Sequence, residues 1–111
     1  MSLDITFTSC RNVICPHCNE IVKTEPVNCE YSGGRCWYSI LESIGYYVPY
    51  DERTDENDWY GKDMTLTTEH TKQVYDFIKE NSNTIYKADS ILNLILTAMI
   101  EEYAVVINAD W

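Results

Sequence analysis

Basic side chains are scarce in this chain of 111 residues, which has eight Lys and Arg against eighteen Asp and Glu. The formal net charge of −10 repels nucleic acid phosphates and anionic lipids, because affinity for either depends on Lys and Arg. Direct binding to nucleic acid or to a membrane surface is therefore disfavoured. A protein partner remains open, and so does mimicry of DNA toward a DNA-binding protein. The plainest role of the acidity is to keep a small protein in solution.

Long apolar runs are also missing. The longest apolar stretch, residues 91–100, is interrupted by Asn93 and Thr97 and is shorter than the roughly 20 residues that cross a bilayer. Residues 1–4 lack the basic and apolar regions of a secretory signal, so we expect a cytoplasmic protein. A hydrophobic content of 45% and 13% aromatics exclude a disordered chain. The length then predicts one domain, 1–111.

A second Cys-x-x-Cys pair is absent, although the chain has five cysteines. The pair that is present lies in Cys15-Pro16-His17-Cys18. Two thiols at this spacing can share a metal ion, exchange electrons as a dithiol and disulfide, or remain unused. Redox enzymes of the thioredoxin fold place the first cysteine at the start of a helix, whereas residues 19–26 have the composition of a strand. The strand composition disfavours the redox alternative.

The segment Ile14-Cys15-Pro16-His17-Cys18-Asn19-Glu20-Ile21-Val22 resembles one knuckle of a zinc ribbon. The resemblance implies that both thiolates face one zinc ion, that backbone amides point at the sulfurs, and that the residue after the second cysteine has a positive φ. Asn tolerates that conformation best after Gly. Cys15 and Cys18 are therefore the predicted metal ligands. A turn that keeps this shape without a metal is equally compatible with the sequence.

The remaining two ligands of such a site are open. Cys29 and Cys36 could fold back toward the pair, Cys10 and His17 could contribute, or a second chain could give the same pair in a homodimer. Each alternative completes the four-ligand set that structural zinc requires.

An enzymatic alternative rests on Gly33-Gly34-Arg35-Cys36-Trp37, which resembles the way papain-like peptidases present a nucleophilic cysteine at a helix start. The resemblance implies a cysteine hydrolase using Cys36. Such an enzyme needs a histidine base, and the sequence offers only His17 and His70. Because His70 falls at a predicted helix start, we prefer a chain without catalytic residues.

Alternation of apolar and polar residues predicts an N-terminal β-hairpin. Residues 3–9 and 20–24 are its strands, Cys15 and Cys18 lie at its tip, and Pro26 indicates an edge. The hairpin part is 1–31. Residues 32–111 form a helical part with three helices and a C-terminal strand at 103–107 that joins the hairpin. The order β-β-α-α-α-β predicts a small α+β domain with helices on one face of an antiparallel sheet.

Helix starts and faces are also predicted. The first helix has an apolar stripe that includes Trp37 and Leu41, and Thr67 caps the second. Asp89 or Ser90 is the predicted cap of the third helix. Since that helix is apolar on nearly every side, we expect it at the buried centre of the domain.

Residues 51–63 combine six acidic side chains with Trp59 and Tyr60, in the longest predicted loop. Exposed aromatic rings beside charges are typical of protein interfaces, so this loop is the predicted contact surface. Packing of the same rings onto a small core is the simpler alternative. The stretch 32–63 also resembles uncharacterised small bacterial proteins of mobile-element type, which implies an accessory or interaction role.

Overall fold

The structure, a computed structural model, describes residues 3–111 apart from the side chain of Val22. Four strands form one antiparallel sheet in the order β2-β1-β4-β3. The strands are β1 (Asp4–Ile14), β2 (Ile21–Gly33), β3 (Asp63–Thr65) and β4 (Ala104–Asp110). The helices are α1 (Tyr38–Ser43), α2 (Thr68–Glu80) and α3 (Ala88–Glu101), with short 3-10 turns at Arg35–Trp37 and Tyr50–Glu52. The predicted α+β class is confirmed.

One face of the sheet is buried. Ile5 and Phe7 of β1 lie opposite Ala109 and Ile107 of β4, and all four side chains are buried. Their neighbours along each strand point the other way and are exposed or half-buried. Because side chains alternate along a strand, the helices cover one face only and the second faces solvent. Trp37 enters the core beside Phe7, with ring centroids 5.3 Å apart.

The predicted element order is confirmed, with three local differences. The two hairpin strands end later than expected, at Ile14 and Gly33 instead of residues 9 and 24, and β3 is a three-residue strand without a prior prediction. The predicted edge position of Pro26 is confirmed, since β2 is an edge of the sheet. Thr67 caps α2 as predicted, accepting a hydrogen bond from the His70 amide at 3.1 Å. The cap predicted for α3 is wrong, because α3 begins after Lys87 in a left-handed conformation without a side-chain cap.

The third helix is not the buried centre that its composition suggests. Its inner face packs on the sheet, but Leu96, Met99 and Ile100 are 41%, 38% and 70% exposed. Met99 and Ile100 follow Leu96 by three and four residues, so the three side chains share one stripe of the helix surface. The helix thus buries one apolar face and exposes a second. None of the described helices has the length and apolar character needed to cross a membrane.

The buried ring of Tyr46 connects the long loop to the sheet. Its hydroxyl donates to the Lys62 carbonyl at 2.6 Å and accepts from the Ala109 amide at 2.7 Å. Burial raises the pKa of Tyr46, so the hydroxyl keeps the proton that it donates. One side chain therefore joins the end of β4 to the segment that enters β3.

Removing this hydroxyl should destabilise the whole domain. In Tyr46→Phe the Ala109 amide loses this buried partner, which costs about 1–3 kcal/mol of unfolding free energy. Urea denaturation followed by tryptophan fluorescence measures the change. Tyr50→Phe is the matched control, because that ring is 84% exposed. Equal midpoints for the two variants would contradict the role assigned to Tyr46.

Candidate functional site

The hairpin tip lies on a ribbon that leaves the sheet. Strand β4 pairs with β1 only from Asp4 to Cys10, whereas β1 and β2 stay paired as far as Ile14 and Ile21. Residues 11–26, here called the arm, therefore form two strands without a third. None of the described arm side chains is buried. A register shift lies between Ser9 and Cys10, just before the arm begins.

The tip is a closed turn with defined backbone geometry. The Cys15 amide donates to the Glu20 carbonyl at 2.8 Å, and the Asn19 amide donates to the Cys15 carbonyl at 2.9 Å. Asn19 has a φ of 58°, which is the left-handed conformation predicted for the residue after the second cysteine. Asn occupies this region at lower cost than most other residues with a side chain. The left-handed turn predicted at Asn19 is therefore present.

Three of the cysteines have pKa values that are shifted by their surroundings. The backbone amides of His17 and Cys18, together with the Cys18 thiol, lower the pKa of Cys15. Donors stabilise a thiolate more than a thiol, and the thiolate is the form that binds metal. Burial has the opposite effect on Cys10 and Cys36, where it raises the pKa of each thiol. Of these three cysteines, Cys15 at the tip therefore forms a thiolate most easily.

The other cysteines lie away from the tip. Cys29 is opposite Thr8 within the main sheet. It follows Ile21 by eight residues of β2, which corresponds to roughly 25 Å along a strand. Cys10 is opposite Ala104 at the base of the arm, and Cys36 lies in the turn before α1. Over residues 3–111, no three His, Cys, Asp or Glu side chains form a group that could hold a metal ion. Cys29 and Cys36 therefore do not join Cys15 and Cys18 in this structure.

Cys36 and His70 lie apart in the helical layer. Trp37, the neighbour of Cys36, packs against Phe77 near the end of α2, with ring centroids 5.9 Å apart. His70 lies in the first turn of the same helix, about 10 Å away along its axis. Among the described residues, no hydrogen bond joins the two side chains. The half-buried Cys36 thiol has a raised pKa, which is the opposite of an activated nucleophile.

Residues 51–63, here called the acidic loop, fold on themselves and on an aromatic cluster. The Thr54 amide donates to the Asn57 side chain at 2.6 Å, and the Gly61 amide donates to the Ala109 carbonyl at 2.8 Å. The Arg53 guanidinium donates to the Val48 carbonyl at 2.9 Å. Rings that meet at 4.9–6.3 Å form the cluster: Tyr38, Tyr46, Tyr47, Trp59, Tyr60 and Trp111. Most of these aromatics therefore pack within the domain, as the simpler alternative expects.

Two exposed apolar side chains near the tip escaped sequence reasoning. Ile14 and Ile21 are 56% and 60% exposed and face each other across the ladder. They flank Cys15 and Cys18 on the two strands. Alternation could not reveal their exposure, because it assumes a covered face. The sequence predicts this strand only over residues 3–9, whereas in the structure β1 continues to Ile14, past the end of its pairing with β4.

Comparisons of the chain with protein-family models, with curated proteins and with solved structures found no match.

The thiols should react in an order set by their surroundings. We expect alkylation of Cys15 to rise at a lower pH than that of a free cysteine, and alkylation of Cys36 to rise at a higher pH. Iodoacetamide labelling over a pH series, followed by peptide mass spectrometry, measures both midpoints. Cys18→Ala is the control, since it removes the thiol donor and keeps the amide donors. Faster labelling of Cys36 than of Cys15 at neutral pH would instead support the hydrolase alternative.

The left-handed turn at Asn19 should tolerate Gly but not Val. A β-branched side chain at this φ costs roughly 1–2 kcal/mol, which corresponds to about tenfold more opening of the turn. Hydrogen–deuterium exchange of the Asn19 and Cys15 amides measures that opening in Asn19→Val and Asn19→Gly. The two variants should differ at the tip and agree in the core strands. Equal protection at the tip would show that the turn does not require this conformation.

Proposed function

We propose that this chain is a protein-binding module without catalytic residues, and that the arm is its principal contact element. The observation that best supports this proposal is the two-stranded ribbon of residues 11–26, whose exposed Ile14 and Ile21 lie beside the knuckle. A two-stranded ribbon alone is marginally stable in water. A partner that covers the arm would stabilise it, and this need supports an interaction role.

The exposed apolar surface of Ile14 and Ile21 is small, but covering it would change the affinity for a partner measurably. Fully burying an isoleucine side chain contributes about 1.5–3 kcal/mol. Ile14 and Ile21 are each more than half exposed, so covering both would contribute roughly 2–3 kcal/mol. That contribution corresponds to a change of about 30- to 150-fold in a dissociation constant. The arm can therefore act as a small hot spot within a larger interface.

We further propose that Cys15 and Cys18 hold a structural zinc ion when the module is assembled. The amide donors around Cys15 and the conformation of Asn19 support this, since both suit a thiolate ligand at a tight turn. Zinc would supply rigidity, by tying the two strands together at the point where pairing ends. All five cysteines are free thiols, so we place the protein in the cytoplasm, where thiols stay reduced.

The acidic loop is a second contact surface in this proposal. Tyr50 is 84% exposed and stands directly before Asp51 and Glu52. Because the loop is held by its own hydrogen bonds, it presents these side chains on a fixed backbone. No observation singles out the hydrolase or the DNA mimic, and neither forms part of the proposal.

The arm should determine which proteins the chain captures. We expect the tagged chain to retain a partner from its source cells, and Ile14→Thr/Ile21→Thr to lose it. Threonine keeps the strand propensity while removing most of the exposed apolar surface. Affinity capture with quantitative mass spectrometry, performed on variants with unchanged circular dichroism, measures the difference.

Two matched controls make this test specific. Leu96→Thr removes a comparable exposed side chain from α3, and Tyr50→Thr removes the exposed ring of the acidic loop. We expect Leu96→Thr to capture normally and Tyr50→Thr to reduce capture less than the arm variant does. Identical capture by the arm variant and the unaltered chain would refute the proposal for the arm.

A further inference from the structure

We infer that Cys15 and Cys18 form half of a four-thiolate zinc site, which the same two cysteines of a second copy of this chain complete. The inference rests on the proposed function and deepens it, because it identifies the partner that covers the arm. The geometry of one chain supplies the first half of the site. The requirement of zinc for four ligands supplies the second half.

One chain supplies two of the four ligands that structural zinc needs. The knuckle holds Cys15 and Cys18 in one closed turn, in which the Asn19 amide donates to the Cys15 carbonyl at 2.9 Å and Asn19 has a φ of 58°. Structural zinc is bound by four ligands in a tetrahedron. His17 lies between the two cysteines, yet no group of three metal-binding side chains forms anywhere in the described part of the chain. A second molecule must therefore provide the missing pair.

Symmetry makes a second copy the simplest source of that pair. Two-fold dimers use the same surface on both subunits, so a half-site at the axis meets an identical half-site. The exposed tip satisfies the requirement for access, because Cys18 and its neighbours are exposed. The same approach would place Ile14 and Ile21 of each copy near their counterparts. The metal contact and the apolar contact would then lie in one interface.

The distribution of charge favours the arm for self-association. Two bodies with a formal charge of −10 repel one another, and that repulsion must be small at any contact between them. The arm holds Arg11 and Lys23 against Glu20 and Glu25, so its formal charge is zero. Arg11 and Lys23 both contact Glu25, at 2.6 Å and 2.9 Å. The neutral arm therefore separates the acidic bodies of the two copies.

Zinc titration tests the inference. Chelator-treated, reduced protein is titrated with zinc sulfate, and its mass is followed by light scattering. We expect half a zinc ion per chain and a mass of twice 12.9 kDa. Cobalt in place of zinc should give the absorption of a tetrahedral thiolate site. Cys15→Ser and Cys18→Ser should each lose both the metal and the dimer, whereas Cys29→Ser, which alters an exposed thiol away from the tip, should keep both.

Several outcomes would overturn the inference. These are a monomer without zinc, a monomer with one zinc per chain, a dimer that forms equally without zinc, or loss of zinc in Cys29→Ser. The spectrum of the cobalt form and the circular dichroism of each serine variant separate loss of ligand from loss of fold. A zinc-free monomer that still captures a different protein through the arm would refute this inference and the proposed zinc site, while the proposed role of the arm in protein binding would stand.

Discussion

The unequal lengths of the strands beside β1 determine how this molecule is built. Over its first seven residues β1 lies between β2 and β4, and this part carries the buried face of the sheet. Beyond Cys10 only β2 continues beside it. The main-chain hydrogen bonds of the arm are therefore satisfied on one side of each strand, while its side chains face solvent. One constraint thus creates both the stable core and the unsupported arm.

The other end of the molecule is stabilised by the aromatic cluster around Tyr46. The loop of residues 51–63 has little regular structure, yet its backbone groups find partners in Asn57, Asp58 and β4. Arg53 lies 5.5 Å from the Trp111 ring, a distance that allows a cation–π contact in a strongly acidic region. Acidic side chains are thereby presented outward from a fixed loop. The two candidate contact surfaces consequently differ: the acidic loop is supported by the core, and the arm is not.

Local chemistry made part of this structure predictable. Alternation identified the buried side of β1, Thr67 identified the start of α2, and Asn19 identified the left-handed turn, because each depends on neighbours in sequence. The start of α3 after Lys87 has no such local cause, so propensity chose the wrong cap. The exposed stripe of α3 was missed for a different reason. An apolar helix is buried on as many sides as there are elements to cover it, and that number is a tertiary property.

The candidate site also has one part that neighbouring residues determine and another part that tertiary structure determines. The knuckle depends on five consecutive residues, and its turn conformation followed from the sequence. The ligand set depends on the register between β1 and β2, which places Cys29 opposite Thr8 and far from the tip. No local pattern contains that register, because it is determined by the pairing of the whole hairpin. Zinc binding itself stays a prediction, and so does the partner.

The proposals for the arm connect three equilibria that would otherwise be separate. Ordering the ribbon, binding zinc and meeting a second copy each favour the others, because metal-binding free energy contributes directly to folding. Their pH dependence has opposing parts. As the pH falls, protonation of carboxylates weakens the repulsion between two acidic bodies and favours association. Protons also compete with zinc for the thiolates, which opposes association. Since the arm is formally neutral, the net acidic charge that causes the repulsion lies outside the segment that holds the thiolates.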